Sequence, residues 1–206
     1  MSEHRYGDAA PTYPHHYLLP IIERLVRDVP AGATVVDLGC GNGALLRHFG
    51  RRGWSRFGVE SSASGLAQAR AADPGARYDE GDVSGDLTTH PAWGRADLVL
   101  STEVIEHLFA PRAFARNCAG LLRPTGRLVL STPYHGYLKN LALAVTGKLD
   151  DHFTALWDHG HIKFWSRRTL GALLAEAGLE VSAVHGAGRA PWLWKSMVIA
   201  AGRRAP

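Results

Sequence analysis

The sequence has 206 residues with 46% apolar and 20% charged residues, which is ordinary for a single soluble globular domain with a full α/β core. The formal net charge of +4 is scattered along the chain, so it indicates a solvated surface more than an anionic partner. The two cysteines argue against a disulfide framework, and neither a signal peptide nor a run of about 18 apolar residues is visible, so we expect a cytoplasmic protein without a membrane partner.

The most informative stretch begins with a short apolar run at Thr34–Leu38, which predicts a buried parallel strand. It leads into Gly39, Gly41 and Gly43, and residues 44–49 then have the pattern of the first turns of a helix. Glycines at a turn permit positive φ and let a ligand lie on the backbone, while a helix N-terminus offers unpaired N–H groups. The stretch therefore predicts a ligand-binding turn, although an ordinary βα turn has similar residues.

Glu60 follows a second apolar strand at 56–59, 23 residues after Asp37. An acid about 20 residues beyond such a turn is where a Rossmann-like unit holds a ribose diol. Asp37 stands just before the glycines, where a carboxylate would repel a pyrophosphate and attract an ammonium group. These residues favour a ligand with an ammonium group, a ribose and no phosphates, such as S-adenosylmethionine.

Residues 37–43, Asp-Leu-Gly-Cys-Gly-Asn-Gly, closely resemble motif I of the class I S-adenosylmethionine-dependent methyltransferases, and the resemblance continues through nearly the whole chain. It implies an α/β, Rossmann-like fold with a mainly parallel seven-stranded sheet and helices on both faces. Residues 1–206 would form a single domain with S-adenosylmethionine as its cofactor. The implied cofactor site consists of Tyr17, Asp37, Gly39, Cys40, Gly41, Glu60, Ser61, Gly81, Asp82, Val83, Thr102 and Glu103.

The N-terminal part of the chain takes its expected role from the same resemblance. Residues 1–30 would form a cap region, in which a predicted helix at 18–29 lies over the cofactor. Tyr13, His16 or Tyr17 would then cover the cofactor or the acceptor. Simple packing of an amphipathic helix is the alternative.

Residues 81–83, Gly-Asp-Val, resemble the adenine site of the family. They follow a weak edge strand predicted at 76–80. In that site Asp82 accepts a hydrogen bond from the exocyclic amine of adenine, and Val83 covers the face of the ring.

The rest of the chain alternates strands and helices, which is typical of a sheet with helices on both faces. Strands are predicted at 96–101, 127–133, 179–184 and 195–200, and helices at 61–72, 111–122 and 166–178. Ser61 or Ser62 and Ser166 have the residue type that begins a helix, and Gly178 the type that ends one.

Residues 134–165 are rich in aromatic residues and histidine, unlike a simple connection. They include a short apolar helix predicted at 138–145, and they follow a central strand, whose carboxyl end is the usual place of ligand binding in an open α/β sheet. We interpret this segment as an acceptor lid. Its large rings favour a flat or cyclic acceptor, because stacked rings bury a large area: Phe153, Trp157, Phe164 and Trp165.

Glu103, Glu106 and His107 follow the fourth predicted strand. If residues 103–107 begin a helical turn, the three side chains share one face, where they can hold Mg²⁺ or Mn²⁺. The same Glu-x-x-Glu-His pattern occurs in two subfamilies that this chain resembles locally, the ubiquinone-pathway O-methyltransferases and the small-RNA terminal 2′-O-methyltransferases. In the RNA enzymes the motif binds a metal together with a later histidine, whose position His161 matches. A hydrogen-bonded structural turn is the alternative.

His135 follows the strand at 127–133 and is expected to point toward the acceptor. An imidazole titrates near pH 6.5, so His135 is the candidate base that removes a proton from the acceptor. His152 and His159 are its rivals, and a surface position is the alternative for all three.

The predicted function is transfer of a methyl group from S-adenosylmethionine to a hydroxyl of a small metabolite or natural-product intermediate. RNA terminal 2′-O-methylation and small-molecule N-methylation remain alternatives, although the sequence has no appended RNA-binding domain and no continuous basic stripe. We expect a small-molecule acceptor and a monomer or homodimer.

Overall fold

The computed structural model describes residues 7–11, 14–153, 155–158 and 160–204, and these form one sheet with helices on both sides. The seven strands are β1 (Thr34–Leu38), β2 (Ser55–Glu60), β3 (Arg77–Glu80), β4 (Ala96–Thr102), β5 (Leu122–Pro133), β6 (Leu179–Ala187) and β7 (Ser196–Arg203). The α-helices are α1 (His15–Leu25), α2 (Ala44–His48), α3 (Ala63–Ala72), α4 (Pro111–Leu121), α5 (Tyr137–Val145), α6 (Leu149–Phe153) and α7 (Arg167–Glu176). Two short 3₁₀ helices span Gly50–Arg52 and Ile105–His107.

The strand order is β3-β2-β1-β4-β5-β7-β6. Strands β1 to β5 pair in parallel, and β7 runs antiparallel to both of its neighbours. The prediction of a mainly parallel seven-stranded sheet is therefore confirmed. The order reverses between β1 and β4, and such a switch point opens a crevice at the carboxyl ends of the strands.

Neighbouring residues of the central strands point to opposite faces of the sheet, and each face has its own core. In β1, Val35 packs in the core that α1, α2 and α3 cover, whereas Val36 packs in the core that α4 and α7 cover. Because helices cover both faces, the central strands are almost wholly apolar, and this explains the continuous hydrophobic runs in the sequence.

The predicted helix ends of the later chain agree with the structure. Ser62 begins α3 and accepts a hydrogen bond from Gly65 N at 3.1 Å. Ser166 begins α7 in a reciprocal pair with Thr169, and Gly178, at φ +77°, follows its end. A cap of this kind contributes about 1 kcal/mol to helix stability.

Several elements differ from the predicted ones, and β6 and β7 each end three residues later than predicted. Helix α1 starts three residues earlier than 18–29 and ends four residues earlier. Strand β5 starts five residues earlier than the predicted strand at 127–133, because Ala96 also pairs with Leu122. The next pair is Leu98 with Arg127, so residues 123–126 form an irregularity within the strand. The lid contains a second helix, α6, where no helix was predicted.

Among the helices of the described residues, none is both long and apolar enough to pass through a bilayer.

Candidate functional site

The turn after β1 has the glycine conformation that its sequence predicts. Gly39 has φ +76° and Gly41 has φ +53°, both in the left-handed region that favours glycine. A Cβ atom on Gly39 would lie 2.5 Å from Cγ2 of Val104, so the loop after β4 leaves no room for a side chain there. Gly39 therefore lets the loops after β1 and β4 approach each other at the switch point.

Glu60, the last residue of β2, fixes the geometry of this turn. Its Oε2 accepts a hydrogen bond from Gly41 N at 2.9 Å. Its Oε1 accepts from Ser61 N at 2.9 Å and from Ser62 N at 2.8 Å, so the side chain also orders the start of α3. The carboxylate is thus held by three backbone N–H groups at the carboxyl ends of the strands.

A cavity of about 360 Å³ lies against these residues, at the carboxyl ends of the central strands. Ten of the twelve residues expected at the cofactor line it: Asp37, Gly39, Cys40, Gly41, Glu60, Ser61, Asp82, Val83, Thr102 and Glu103. The other two, Tyr17 and Gly81, do not line it. Gly81 N donates instead to the backbone oxygen of Glu60, and Tyr17 faces a second cavity.

Asp37 is an orphaned carboxylate in this cavity. Its side chain is buried, and its Oδ1 has no hydrogen-bond partner among the described residues. Burial and, to a lesser extent, the charge of Glu60 raise the pKa of Asp37 to about 8. A bound ammonium group would neutralise this carboxylate and lower its pKa, so the site fits the amino acid end of S-adenosylmethionine.

Helix α1 forms part of the wall of this first cavity, which the resemblance makes the cofactor cavity. Leu18 and Ile22, one turn apart, are fully buried in the core of the sheet, and burying each such side chain stabilises the fold by about 1.5–3 kcal/mol. This packing places Pro14, His15 and Leu18 in the cavity wall. The covering of the cofactor by the N-terminal helix stays a prediction, and these three residues are the ones that could contribute to it.

Several further residues of the wall are not predicted from the sequence. Asn42 and Leu45 belong to the turn and helix after β1, whose spacing signals a site but not each contact. Val104 and Leu108 flank the Glu-x-x-Glu-His motif, and Trp157 reaches the cavity from the lid. Nothing in the local sequence signals that last contact, because the lid folds back over a distance of many residues.

A second cavity of about 480 Å³ adjoins the first. The two share Pro14, Glu103, His107 and Trp157 in their walls. The second cavity is further lined by Tyr17, Pro133, Lys139, His152, His161, Arg189, Lys195 and Ser196. Six of its twelve lining residues come from the lid and from the loop before β7.

Glu103 lies at the border of the two cavities. Its Oε1 accepts from Ser131 Oγ at 2.8 Å and its Oε2 accepts from Ser196 Oγ at 3.1 Å. Burial raises the pKa of Glu103 to about 7, against a smaller lowering by these two hydroxyls. The side chain is therefore a partly buried carboxyl group whose pKa is raised toward neutrality.

The backbone at Glu103 corrects the predicted metal site. Glu103 has φ +54°, in the left-handed region, and the helical turn begins only at Ile105. Residues 103–107 therefore do not form one continuous turn with three side chains on one face. Among the described residues, the group with ligand atoms within 4.8 Å of one another consists of Glu106, His107 and His161, without Glu103.

The lid brings His161 to this group through backbone contacts. The backbone oxygen of Glu106 accepts from both Ile162 N and Lys163 N, each at 2.9 Å. The rings of His107 and His161 then lie 4.9 Å apart. His161 thus lies beside Glu106 and His107 in the folded chain.

The donors of this group are chemically suited to a divalent ion. Glu106 is buried, its Oε2 accepts from Thr132 Oγ1 at 3.0 Å, and its Oε1 has no partner within the described part of the chain. His107 Nδ1 lies 3.2 Å from Gly160 O, which can only accept, so Nδ1 carries the proton and Nε2 the lone pair. Burial, followed by the charge of Glu103, raises the pKa of Glu106 well above its usual range, an effect that a cation would reverse.

His135, the predicted base, lies behind the wall of the second cavity, where its ring contacts that of His152. Its ring is buried among those of His152, Phe153 and Phe164, with centroids 4.9–5.8 Å away. It lines neither cavity, and burial together with the charge of Lys139 lowers its pKa to about 3. The position and the weak basicity of His135 contradict its assignment as the base, and its ring belongs to the interior of the lid.

The remaining candidates separate in the same way. His152 lines the second cavity, and His16 is exposed on the outer side of α1. Tyr13 and His159 lie outside the described residues.

Known proteins provide an independent comparison. A family model described as a methyltransferase domain matches residues 11–184. The chain is 36% identical over 197 residues to the ubiquinone biosynthesis O-methyltransferase of Xanthomonas axonopodis pv. citri, an alignment that covers 91% of this chain and 81% of that protein. It is 29% identical over 188 residues to the protein of the same name from Pseudomonas aeruginosa strain LESB58, covering 89% of this chain and 81% of that protein.

The fold is similar to that of magnesium protoporphyrin IX methyltransferase from Synechocystis, solved with bound SAH (S-adenosylhomocysteine). The TM-score is 0.69 at 19% identity, with 91% of this chain and 82% of that chain covered. At this identity the similarity concerns the fold.

Proposed function

The chain belongs to the methyltransferase-domain family and is an S-adenosylmethionine-dependent methyltransferase, and we propose that it methylates a hydroxyl group of a small cyclic acceptor bound in the second cavity. The observation that carries this proposal is that the two cavities share Glu103 and His107, so that an acceptor oxygen can reach the transferred methyl group there. The names of the relatives, which are O-methyltransferases, also support oxygen as the acceptor atom.

The cofactor would bind in the first cavity, where each part of the molecule would contact residues at the end of a different strand. The carboxylate of Asp37 would hold the ammonium group, and Glu60 would accept hydrogen bonds from the ribose hydroxyls. Asp82 and Val83, which line the same cavity, would contact the adenine. Orientation of two reactants in this way accounts for up to about 7–11 kcal/mol of barrier reduction in well-aligned systems.

Glu103 is the group best placed to accept the proton of the acceptor hydroxyl. In the reaction the hydroxyl oxygen bonds to the methyl carbon, the carbon–sulfur bond breaks, and its electron pair stays on sulfur as a neutral thioether. The proton passes to a base whose pKa should lie near the working pH. Glu103 lines both cavities and its pKa is raised to about 7, so it replaces His135 in this role.

Glu106, His107 and His161 would hold a divalent ion beside the acceptor. Two imidazoles and one carboxylate favour Mn²⁺ or another transition-metal ion over Mg²⁺, which prefers oxygen ligands. Such an ion, when bound, supplies a Lewis acid that lowers the pKa of a hydroxyl group.

A labelling experiment tests the proposed function. The purified enzyme would be incubated with metabolite extract and S-adenosylmethionine that carries a CD₃ methyl group, with Glu103→Gln as the matched control. We expect small products with a CD₃ group on oxygen, formed much faster by the wild type than by the variant. Label found on nitrogen in every product would contradict the proposal and indicate an N-methyltransferase.

One observation favours RNA as a second candidate acceptor. The structure brings Glu106, His107 and His161 together, as the resemblance to the small-RNA enzymes implies. Filter binding of a short RNA at several salt concentrations separates the candidates, because contacts to phosphates make affinity fall steeply with salt. Weak retention that does not depend on salt would count against RNA.

A further inference from the structure

Three cationic side chains converge on the second cavity, which the proposed function makes the acceptor cavity. Lys139 comes from α5, and Arg189 and Lys195 come from the loop that joins β6 and β7. All three line the acceptor cavity and none lines the cofactor cavity. Residues from two distant parts of the chain thus meet with the same charge on one side of the site.

Lys139 is held in place without being neutralised. Only 4% of its surface is exposed, which is unusual for a lysine. Its Nζ donates to the backbone oxygens of Tyr134 at 2.7 Å and of Lys195 at 3.4 Å, and both acceptors are neutral. An ammonium has three N–H donors, so one remains for a ligand.

The cavity has little negative charge to balance these cations. In the described part of the chain neither Lys139 nor Arg189 forms an ion pair with an acid. The carboxylate in the cavity wall, Glu103, is bonded to two serine hydroxyls. Burial and the nearby charge of Arg189 lower the pKa of Lys139 to about 8, against a smaller opposing effect of Glu103. A bound anion would relieve this repulsion.

His152 adds an unused polar atom to the same wall. Its Nε2 is buried and has no hydrogen-bond partner among the described residues. Burial and the charges of Lys139 and Arg189 lower the pKa of this imidazole, so it lines the cavity as a neutral donor or acceptor.

We propose that Lys139, Arg189 and Lys195 bind an anionic group of the acceptor, a carboxylate or a phosphate, while its hydroxyl lies at Glu103 and His107. This proposal rests on the proposed O-methylation in the same cavity, and it narrows the acceptor to a hydroxyl-bearing ring with an acidic substituent. A small acid is favoured over RNA because the three cations lie together in the wall of one cavity, whereas RNA binding needs a basic surface that follows several phosphates.

Matched probes test the anionic group. The protein loaded with S-adenosylhomocysteine would be titrated by calorimetry with 3,4-dihydroxybenzoate, with catechol, which lacks the carboxylate, and with inorganic phosphate. Arg189→Gln removes one exposed cation of the cavity. Arg51→Gln is the matched control, because Arg51 is also exposed but lines neither cavity.

We expect 3,4-dihydroxybenzoate to bind at least about tenfold more tightly than catechol, which corresponds to about 1.4 kcal/mol. Arg189→Gln should remove most of this preference and leave both catechol and S-adenosylhomocysteine affinities unchanged, and Arg51→Gln should change none of them. If millimolar phosphate competes with 3,4-dihydroxybenzoate, the anionic group is a phosphate. If phosphate does not compete, the anionic group is a carboxylate.

Two results separate this inference from the proposed function. Equal binding or equal methylation of 3,4-dihydroxybenzoate and catechol would overturn the anion site and leave O-methylation in place. Failure of both 3,4-dihydroxybenzoate and phosphate to bind would do the same. Anion binding that depends on Arg189, without methylation of any hydroxyl compound, would support the anion site and count against O-methylation. Tight, strongly salt-dependent binding of a short RNA that Arg189→Gln abolishes would overturn the small acid.

Discussion

Glu60 is assigned two roles, and two measurements on one variant distinguish them. It orders the turn after β1 through Gly41 N, and it is expected to hold the ribose of the cofactor. Glu60→Ala should weaken S-adenosylhomocysteine binding by about 1–3 kcal/mol, because donors in a partly buried site lose their acceptor. Calorimetry measures the loss, and Glu80→Ala, at the exposed end of β3, is the matched control.

An unchanged affinity in Glu60→Ala would mean that the ribose lies elsewhere. The melting temperature of the protein without ligand should be measured as well. A lower value in the variant reports the lost contacts of the carboxylate with the backbone. The ribose contact is supported when the ligand affinity falls by more than the loss of folded protein explains.

The metal ligands can also be distinguished residue by residue. After dialysis against MnCl₂, we expect elemental analysis to find about one ion per chain in the wild type and in Glu103→Gln. Glu106→Gln and His161→Ala should lose the ion, because each removes one of the three converging donors. Exhaustive chelation should then lower the activity of the wild type, and Mn²⁺ should restore it. Full turnover without any bound metal would contradict the ion's role.

At this scale the sequence predicts residues whose position depends on local chain geometry. Asp37, Glu60 and Asp82 lie at or just beyond the carboxyl ends of successive parallel strands, so their meeting at one edge of the sheet follows from the strand pattern alone. Trp157 and Arg189 enter the cavities through long-range folding of loops, which no local spacing encodes. His135 was assigned wrongly because proximity to a strand end does not decide whether a ring faces the cavity or the interior of the lid.

The two ends of the lid are joined to each other, and its later part is joined to the segment after β4. His135 N donates to Trp165 O at 2.9 Å near its two ends, and the backbone oxygen of Glu106 accepts from Ile162 N and Lys163 N. Between these contacts, α5 and α6 present their side chains to the acceptor cavity. The element therefore has fixed ends and a middle part that forms the wall of a binding site.

Two substitutions in the lid should have different effects on the two ligands. His152 lines the acceptor cavity alone, whereas Trp157 lines both cavities. His152→Ala should raise the KM for the acceptor and leave S-adenosylhomocysteine affinity unchanged. Trp157→Ala should in addition weaken S-adenosylhomocysteine about two- to tenfold, since an aromatic contact contributes about 0.5–1.5 kcal/mol. Steady-state kinetics and calorimetry measure the two effects, and an equal loss of cofactor affinity in both variants would contradict this division of the lid.

The elements were predictable to the extent that their sequences are periodic or apolar. Strands β1 and β4 are almost continuous apolar runs, and Ser166 and Gly178 define α7 through helix capping. Helix α6 has five residues with acids in its first turn and no buried residue, so neither periodicity nor burial signals it. Short elements of this kind form because the rest of the lid holds them.

The whole molecule should respond to pH through Asp37. Its raised pKa, about 8, means that the folded state holds a proton that the unfolded state has released above about pH 4. The stability of the protein without ligand should therefore fall as the pH rises from about 5 to 8, and Glu103, with a pKa raised to about 7, acts in the same direction. Thermal unfolding across this range measures the effect.

Cofactor binding should reverse this behaviour, because the ammonium group binds the ionised carboxylate. Binding of S-adenosylhomocysteine near pH 7 should release close to one proton, measured by calorimetry in buffers of different ionisation enthalpy. Asp37→Asn should bind more weakly and release much less. Proton release that is the same in both proteins would assign the titration to another group.

The two cavities are built from different stretches of the chain. Apart from Trp157 the cofactor wall comes from residues before 109, whereas eight of the twelve residues of the acceptor wall lie at 133 or later. Evolution and laboratory recombination can therefore exchange the later stretch between homologous chains while the first half stays intact. Such chimaeras would inherit the cofactor site from one parent and the choice of acceptor from the other. The side chains that line both cavities, among them Glu103, His107 and Trp157, would have to be compatible between the two parents.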